Sequence, residues 1–294
     1  MSIKEKIKNR ARAALGIPKM EEEIRTLHYF LDELGDIEHF PKATGALRQL
    51  QLCDTELLKI LDVIFEKNDL QYFLISGTLL GGVRHKGFIP WDDDLDIIMP
   101  RESYERAAQI LREECSRLDI RFYVNKLQWF ESMGIGFKSG TWCDIFVLDS
   151  FNGSSDLNSV QTEIQTVEKK IKKYASDLQV SWEDIHERQK ELVEKHITSG
   201  DTLYYYWSMP RLFGIMVYTD KSCFPTHKAL FEDAMLNFPN DSDALLTQIY
   251  GNYMDFPKTG VLHHGTANVA AAGDSSATLE KLTAIYRELT SSQE

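Results

Sequence analysis

Apolar positions step by three and four through much of the chain and by two in a few short runs, which separates helices from strands. Ile3, Ile7, Ala11 and Leu15 share one helical face. Within residues 20–38, Ile24, Leu27, Leu31 and Leu34 form a short coiled-coil-like seam. That seam suits either a homodimer or packing within the chain. After a break at Pro41–Gly45, Leu47, Leu50, Leu57, Leu58, Leu61, Ile64 and Phe65 predict one strong helix that stops at Asn68-Asp69. Gln71–Ile75, Leu95–Met99, Ile120–Val124, Met133–Phe137 and Cys143–Leu148 read as strands, with a helix over Glu102–Arg117. Residues 156–198 carry helical spacing at Val160, Ile164, Val167 and Ile171 in a Glu-, Lys- and Gln-rich background. Phe224 to Tyr253 reads as loop then helix, Ala270 to Ser276 as a flexible link, and Ala277 to Leu289 as a last helix. Mixed strands and helices predict an α/β (α+β) fold: a small mixed sheet flanked by helices, with added helical segments.

Composition adds limits rather than detail. With 43% apolar and 27% charged residues, the chain reads as an ordinary soluble protein. No apolar run reaches the ~18 residues of a spanning helix, and the first residues lack the apolar middle of a signal peptide. The expectation is a cytoplasmic chain. Cys53, Cys115, Cys143 and Cys223 lie too far apart for a zinc motif and are expected to be buried thiols. The formal charge of −12 argues against nucleic acid as a partner, because such binding needs Lys and Arg on phosphates. A phosphorylated substrate would need a recruited cation. Residues 1–19 run against this charge, with Lys4, Lys6, Lys8, Arg10, Arg12 and Lys19 against one Glu5. A basic amphipathic helix of this kind suits peripheral contact with the inner face of a membrane, or simply a solvated end.

The chemistry concentrates in Gly77–Met99. Asp92, Asp93, Asp94 and Asp96 fall within five positions, directly before an apolar strand. Residues two apart on a strand share a face, so Asp94 and Asp96 point together. Two adjacent carboxylates repel unless a cation joins them, and hard oxygen ligands suit Mg²⁺ or Mn²⁺. Asp92 and Asp93, after Pro90-Trp91, read as turn formers. Gly77 and Thr78 follow a strand and suit a phosphate-binding turn. Arg84, His85 and Lys86 place cations nearby for donor phosphates, or for pairing with Asp92 and Asp93. Asp144, in the apolar run from Trp142 to Leu148, is the candidate third metal ligand or base, since a lone strand Asp needs a partner. Tyr204, Tyr205, Tyr206 and Trp207 suit either a quaternary-ammonium cage or plain core.

The run SGTLLGGVRHKGFIPWDDDLDIIMPRESYE resembles the signature of LicD-type phosphotransferases, related to the fukutin-related group in the nucleotidyltransferase superfamily. WCDIFVLD resembles the family's later Asp-Ile-Phe segment, and IYGNYMDFP with His263 and His264 its C-terminal segment. The resemblance implies a nucleotidyltransferase-like core and transfer of phosphocholine or a polyol phosphate from a CDP-linked donor to a glycan. Asp94 and Asp96 match the metal pair, Asp144 the third acid, and Gly77 with Thr78 the phosphate turn. Asn252 and Phe256 depart from the family's usual Asp and Pro, and the cysteine zinc site of the animal relatives has no counterpart.

The resulting expectation has four parts: residues 1–45 as a helical extension, 46–152 as the catalytic core, 153–265 as a helical insertion and acceptor-side subdomain, and 266–294 as linker and helix. The expected enzyme is a metal-dependent phosphotransferase using a CDP-alcohol donor and a glycan or lipid-linked glycan acceptor. Asp94, Asp96 and Asp144 hold Mg²⁺, Asp144 doubles as a base, and His85 or His263 assists protonation. A nucleotidyltransferase that donates the nucleotide itself is the alternative. A non-enzymatic acidic loop that binds Ca²⁺ or a protein is the third.

Overall fold

The computed structural model describes residues 12, 16–33, 37–127, 130–137, 140–177, 179–209, 214–255 and 275–291. Most of the basic segment 1–19, most of the link 270–276, and His263, His264 and Phe256 lie outside the described residues. The contacts divide the chain into two units. The smaller holds helix α1 (Ile17–Glu33) and a short 3-10 turn (Ile37–His39). Among the described residues, no helix is long and apolar enough to cross a membrane.

The larger unit is built on α2 (Gly45–Lys67), which is buried along most of residues 50–65. Its apolar face belongs in an interior, and Leu50, Leu57, Leu58, Leu61, Ile64 and Phe65 are all buried. It ends at Asn68, with Asp69 in the left-handed region, as the Asn-Asp signal requires. Following it are β1 (Phe73–Leu74), α3 (Ser76–His85), β2 (Leu95–Pro100), α4 (Arg101–Leu118), β3 (Arg121–Leu127), β4 (Phe130–Gly136) and β5 (Trp142–Gly153). The mixed sheet runs β1-β2-β5-β4-β3. Strands β2 and β5 are parallel, with Asp96 beside Asp144; the pairs β4–β5 and β3–β4 are antiparallel.

Residues 157–196 form the expected helices, α5 (Leu157–Ala175) and α6 (Trp182–His196). The aromatic stretch makes β6 (Thr202–Met209), which extends the sheet by pairing with the far half of β5 and with β7 (Gly214–Thr219). Alternation then settles the fate of its aromatics. Tyr204 and Tyr206 face a second core with Val160, Ile164 and Ile185, while Trp207 faces the main core. All three are at most 5% exposed, so the stretch is core and no cage.

One expectation fails after Phe224. In place of a loop, the short helix α7 (Asp220–Cys223) is followed by a hairpin, β8 (His227–Phe231) and β9 (Ala234–Phe238). Phe231, Leu236 and Phe238 bury one face of the hairpin. Its tight turn places Glu232 at φ 55, a position where the sequence lacks the usual glycine or asparagine signal. Helices α8 (Ser242–Tyr250) and α9 (Ser276–Ser291) complete the unit, α9 packing on α2. The four cysteines are buried free thiols.

Candidate active site

The acidic segment is a loop between α3 and β2, and several contacts fix its path. Helix α3 stops at Lys86, left-handed at φ 57, whose N–H bonds to Gly81 O. The helix then lies directly on the loop: a Cβ at Gly81 would stand 2.4 Å from Gly87 O. Gln51 Nε2, on α2, donates to the carbonyls of Ile89 (3.3 Å) and Asp92 (3.0 Å). Glu232 accepts from Phe88 N–H (3.2 Å), and its own N–H bonds to Lys86 O (2.8 Å). Phe88 and Ile89 are buried as a result, and the aspartates that follow are drawn inward.

Asp92 closes the turn, its N–H bonding to Ile89 O (3.0 Å), and Asp92 and Asp93 are both buried there, 1% and 0% exposed. Carboxylate oxygens of Asp92, Asp93 and Asp94 lie within 4.8 Å of one another. Neither oxygen of Asp93 accepts a hydrogen bond among the described residues. Burial, then Asp94 and Asp93, push the Asp92 carboxyl well above its usual range, against the pull of Arg84. Asp96 is raised by burial, then by Asp94, Asp144 and Asp92, with a Ser76 hydrogen bond opposing. Asp144 receives Trp142 Nε1–H at 3.1 Å on Oδ2 and the Ser132 hydroxyl at 3.4 Å on Oδ1.

Three residues of this neighbourhood escaped the sequence reading. Asp54 is fully buried on α2, accepts Trp142 N–H at 3.1 Å, and is pushed up by burial, then by Asp94, Asp93 and Asp92. Its signal was present, since it falls on the helix face of Leu50, Leu57, Leu58 and Leu61, where an acid is out of place. Trp142 orients Asp144. Tyr250, at the end of α8, is 44% exposed overall, and its phenol is raised by partial desolvation, then by Asp96, Asp92 and Asp94.

The residues predicted for phosphate contact divide. Gly77 and Thr78 form no loop turn; they lie in the first turn of α3. The left-handed residue is Ser76, at φ 52. Gly77 leaves room for Asp92, whose Oδ2 would stand 2.8 Å from a Cβ there. Thr78 is buried, and its hydroxyl accepts Asp96 N–H at 2.8 Å, fixing the start of β2. The helix start still offers N–H groups without intrahelical partners. Arg84 is buried, donating to Tyr253 O (2.7 Å) and to His85 Nε2 (3.1 Å), with its charge felt at Asp92. Lys86 is exposed and donates to Val83 O (3.0 Å), so its ammonium caps its own helix.

Residues 69–190 match the model of the LicD/FKTN/FKRP nucleotidyltransferase domain. The resemblance to the LicD-type family read from the sequence is borne out over this segment. The matched LicD segment holds α3, the acidic loop, β2, Asp144 and Trp142; Asp54 and Tyr250 lie outside it. The chain is 43% identical over 68 residues to the lipopolysaccharide cholinephosphotransferase LicD of Haemophilus influenzae, covering 23% of this chain and 26% of that protein. It is 42% identical to an uncharacterized protein, RP689, of Rickettsia prowazekii, over 33% of its length. An uncharacterized protein of Rickettsia typhi, RT0683, is 43% identical over 23% of its length. The match thus spans about a quarter to a third of the length of these curated relatives.

Proposed function

We propose that this LicD-type chain is a metal-dependent phosphotransferase that moves phosphocholine or a polyol phosphate from a CDP-linked donor to a hydroxyl of a cell-surface glycan. The observation that carries the reading is Asp93: a fully buried carboxylate that accepts no hydrogen bond among the described residues, inside a cluster of like charges. Uncompensated, such burial costs several kcal/mol. A divalent cation removes that cost, and the donor set fits one, since hard carboxylate oxygens suit Mg²⁺ or Mn²⁺. Asp94 and Asp96 would hold the ion, with Asp92, Asp93 and Asp144 completing its surroundings. When bound, it neutralises charge on the donor diphosphate. The relative that carries a printed activity is a cholinephosphotransferase, which favours choline as the alcohol.

The chain's own groups supply the remainder. The start of α3 directs N–H groups toward the donor phosphates. The acceptor oxygen forms a bond to the phosphorus that carries the alcohol, and the bond from that phosphorus to CMP breaks. Asp144 takes the hydroxyl proton on a carboxylate oxygen while Trp142 Nε1–H holds Oδ2 in place. Arg84, fixed by Tyr253 O, adds positive charge on the Asp92 side.

Product identification tests this reading. With Mg²⁺, CDP-choline and a glycan acceptor, the released nucleotide is expected to be CMP. Pyrophosphate released from CTP would instead establish transfer of the nucleotide itself.

A further inference from the structure

We propose that Tyr123 and Trp142 form the seat for a quaternary ammonium group on the donor; the assignment rests on the CDP-alcohol reading above and names its alcohol. The sheet register places Asp96, Asp144, Gly134 and Tyr123 side by side across four strands. Residues paired in this way share a face. Trp142 is two positions before Asp144 on that face, and its Nε1–H bonds to Asp144 Oδ2 at 3.1 Å. The indole leans over β4, where glycines clear its path: a Cβ at Gly134 would stand 2.2 Å from Trp142 Cζ2, and one at Gly136 2.9 Å from Cε3. Tyr123, from β3, lies tilted against the indole, at 5.1 Å between centroids and 30° between planes. Tyr123 remains 40% exposed.

An open aromatic pair beside carboxylates has a specific chemical complement. A quaternary ammonium has no N–H to donate, so hydrogen-bond acceptors alone cannot hold it; the negative face of aromatic rings can. The neighbouring Asp144 carboxylate adds the charge that such a cation needs. A neutral nucleobase would stack but gain nothing from the carboxylates, and a polyol would leave the ring faces unused. The indole lies over β4, one strand from Asp144, a distance of ~4.8 Å, with Tyr123 one strand beyond. A two-carbon linker between phosphate and nitrogen spans that gap. The other aromatic run, Tyr204 to Trp207, has its rings at 204, 206 and 207 buried in the cores.

The test measures binding of CDP-choline and CDP-glycerol to the Mg²⁺-loaded full chain by calorimetry, with choline alone followed on the Tyr123 ring resonances by NMR. The wild type is expected to bind CDP-choline about tenfold more tightly than CDP-glycerol. Tyr123→Leu should lose that preference, and Tyr123→Phe should retain it. A wild type without the preference, or a preference that survives Tyr123→Leu, overturns the seat while CDP-glycerol binding leaves the donor reading standing. Equal weakening of both nucleotides by Tyr123→Leu makes the pair a base platform and also overturns it. Choline binding at Tyr123 with no binding of either CDP compound supports the seat and overturns the donor reading. No binding of any of the three overturns both.

Discussion

Replacing Asp96 with asparagine is expected to lower turnover on the order of 10³-fold while raising the melting temperature of the metal-free chain. Both effects come from one cause. Asp96 sits in register with Asp144, and its carboxyl is raised by burial and by three neighbouring acids. Without a cation these groups repel, so an amide relieves strain of about 1–2 kcal/mol, a few degrees in a chain of this size. With Mg²⁺ the order reverses. An ion at a hundred times its dissociation constant stabilises the wild type by about 2.7 kcal/mol, and the variant gains far less. The Asp96 N–H to Thr78 bond belongs to the backbone and survives the change. Thermal melts with and without Mg²⁺, beside single-turnover assays, check both halves. Full turnover at saturating donor and Mg²⁺ would remove Asp96 from the mechanism.

The second large effect is on stability and lies outside the acidic cluster. Glu232 is held by Arg48 through two hydrogen bonds (3.0 and 2.7 Å), by Lys42 at 2.6 Å and by Phe88 N–H. Burial alone would raise its carboxyl, but the bonds from Arg48 and Lys42, the charge of Arg48 and the Phe88 N–H outweigh it and bring it down to about 2. Those bonds also offset its left-handed backbone, which costs about 1 kcal/mol. Glu232→Ala strands these partners and is expected to cost about 3 kcal/mol. It also frees the loop that carries Asp92 and Asp93, so Mg²⁺ affinity should fall with stability. Because the folded value lies below the unfolded one, the carboxylate's stabilisation is complete above the unfolded value, about 4.5, and is lost as pH falls toward about 2. The stability difference between wild type and Glu232→Gln should therefore narrow across that window. Urea melts at several pH values measure it; a difference independent of pH would show that the charge of Glu232 contributes nothing.

Helices α2, α4 and α5, and strands β2, β4 and β5, follow from apolar spacing because each buries one continuous pattern. The hairpin β8–β9 was not legible, since its strands are short, half-exposed and joined at a non-glycine turn whose conformation is imposed by the latch at Glu232. The Gly77-Thr78 turn was misread for a related reason. Left-handed geometry falls on Ser76, and the glycine serves the close approach of Asp92, a contact fifteen positions away that local sequence cannot display. Asp96 and Asp144 were legible as strand acids, whereas Asp94 lies in the loop before β2. The burial of Asp92 and Asp93 was not, because it depends on Gln51 and Glu232 pulling the loop inward from distant elements. Tyr123 was hidden in an ordinary strand, and only the register reveals that it shares a face with Asp144, two strands away.

Whether a divalent ion occupies the acidic cluster is measured most directly by anomalous diffraction from crystals soaked with Mn²⁺ and a CDP-alcohol. The expected result is a manganese peak bonded to carboxylate oxygens of Asp94 and Asp96 and to the donor diphosphate. A diphosphate bound with no manganese beside those residues, or a peak confined to another part of the molecule, would contradict it.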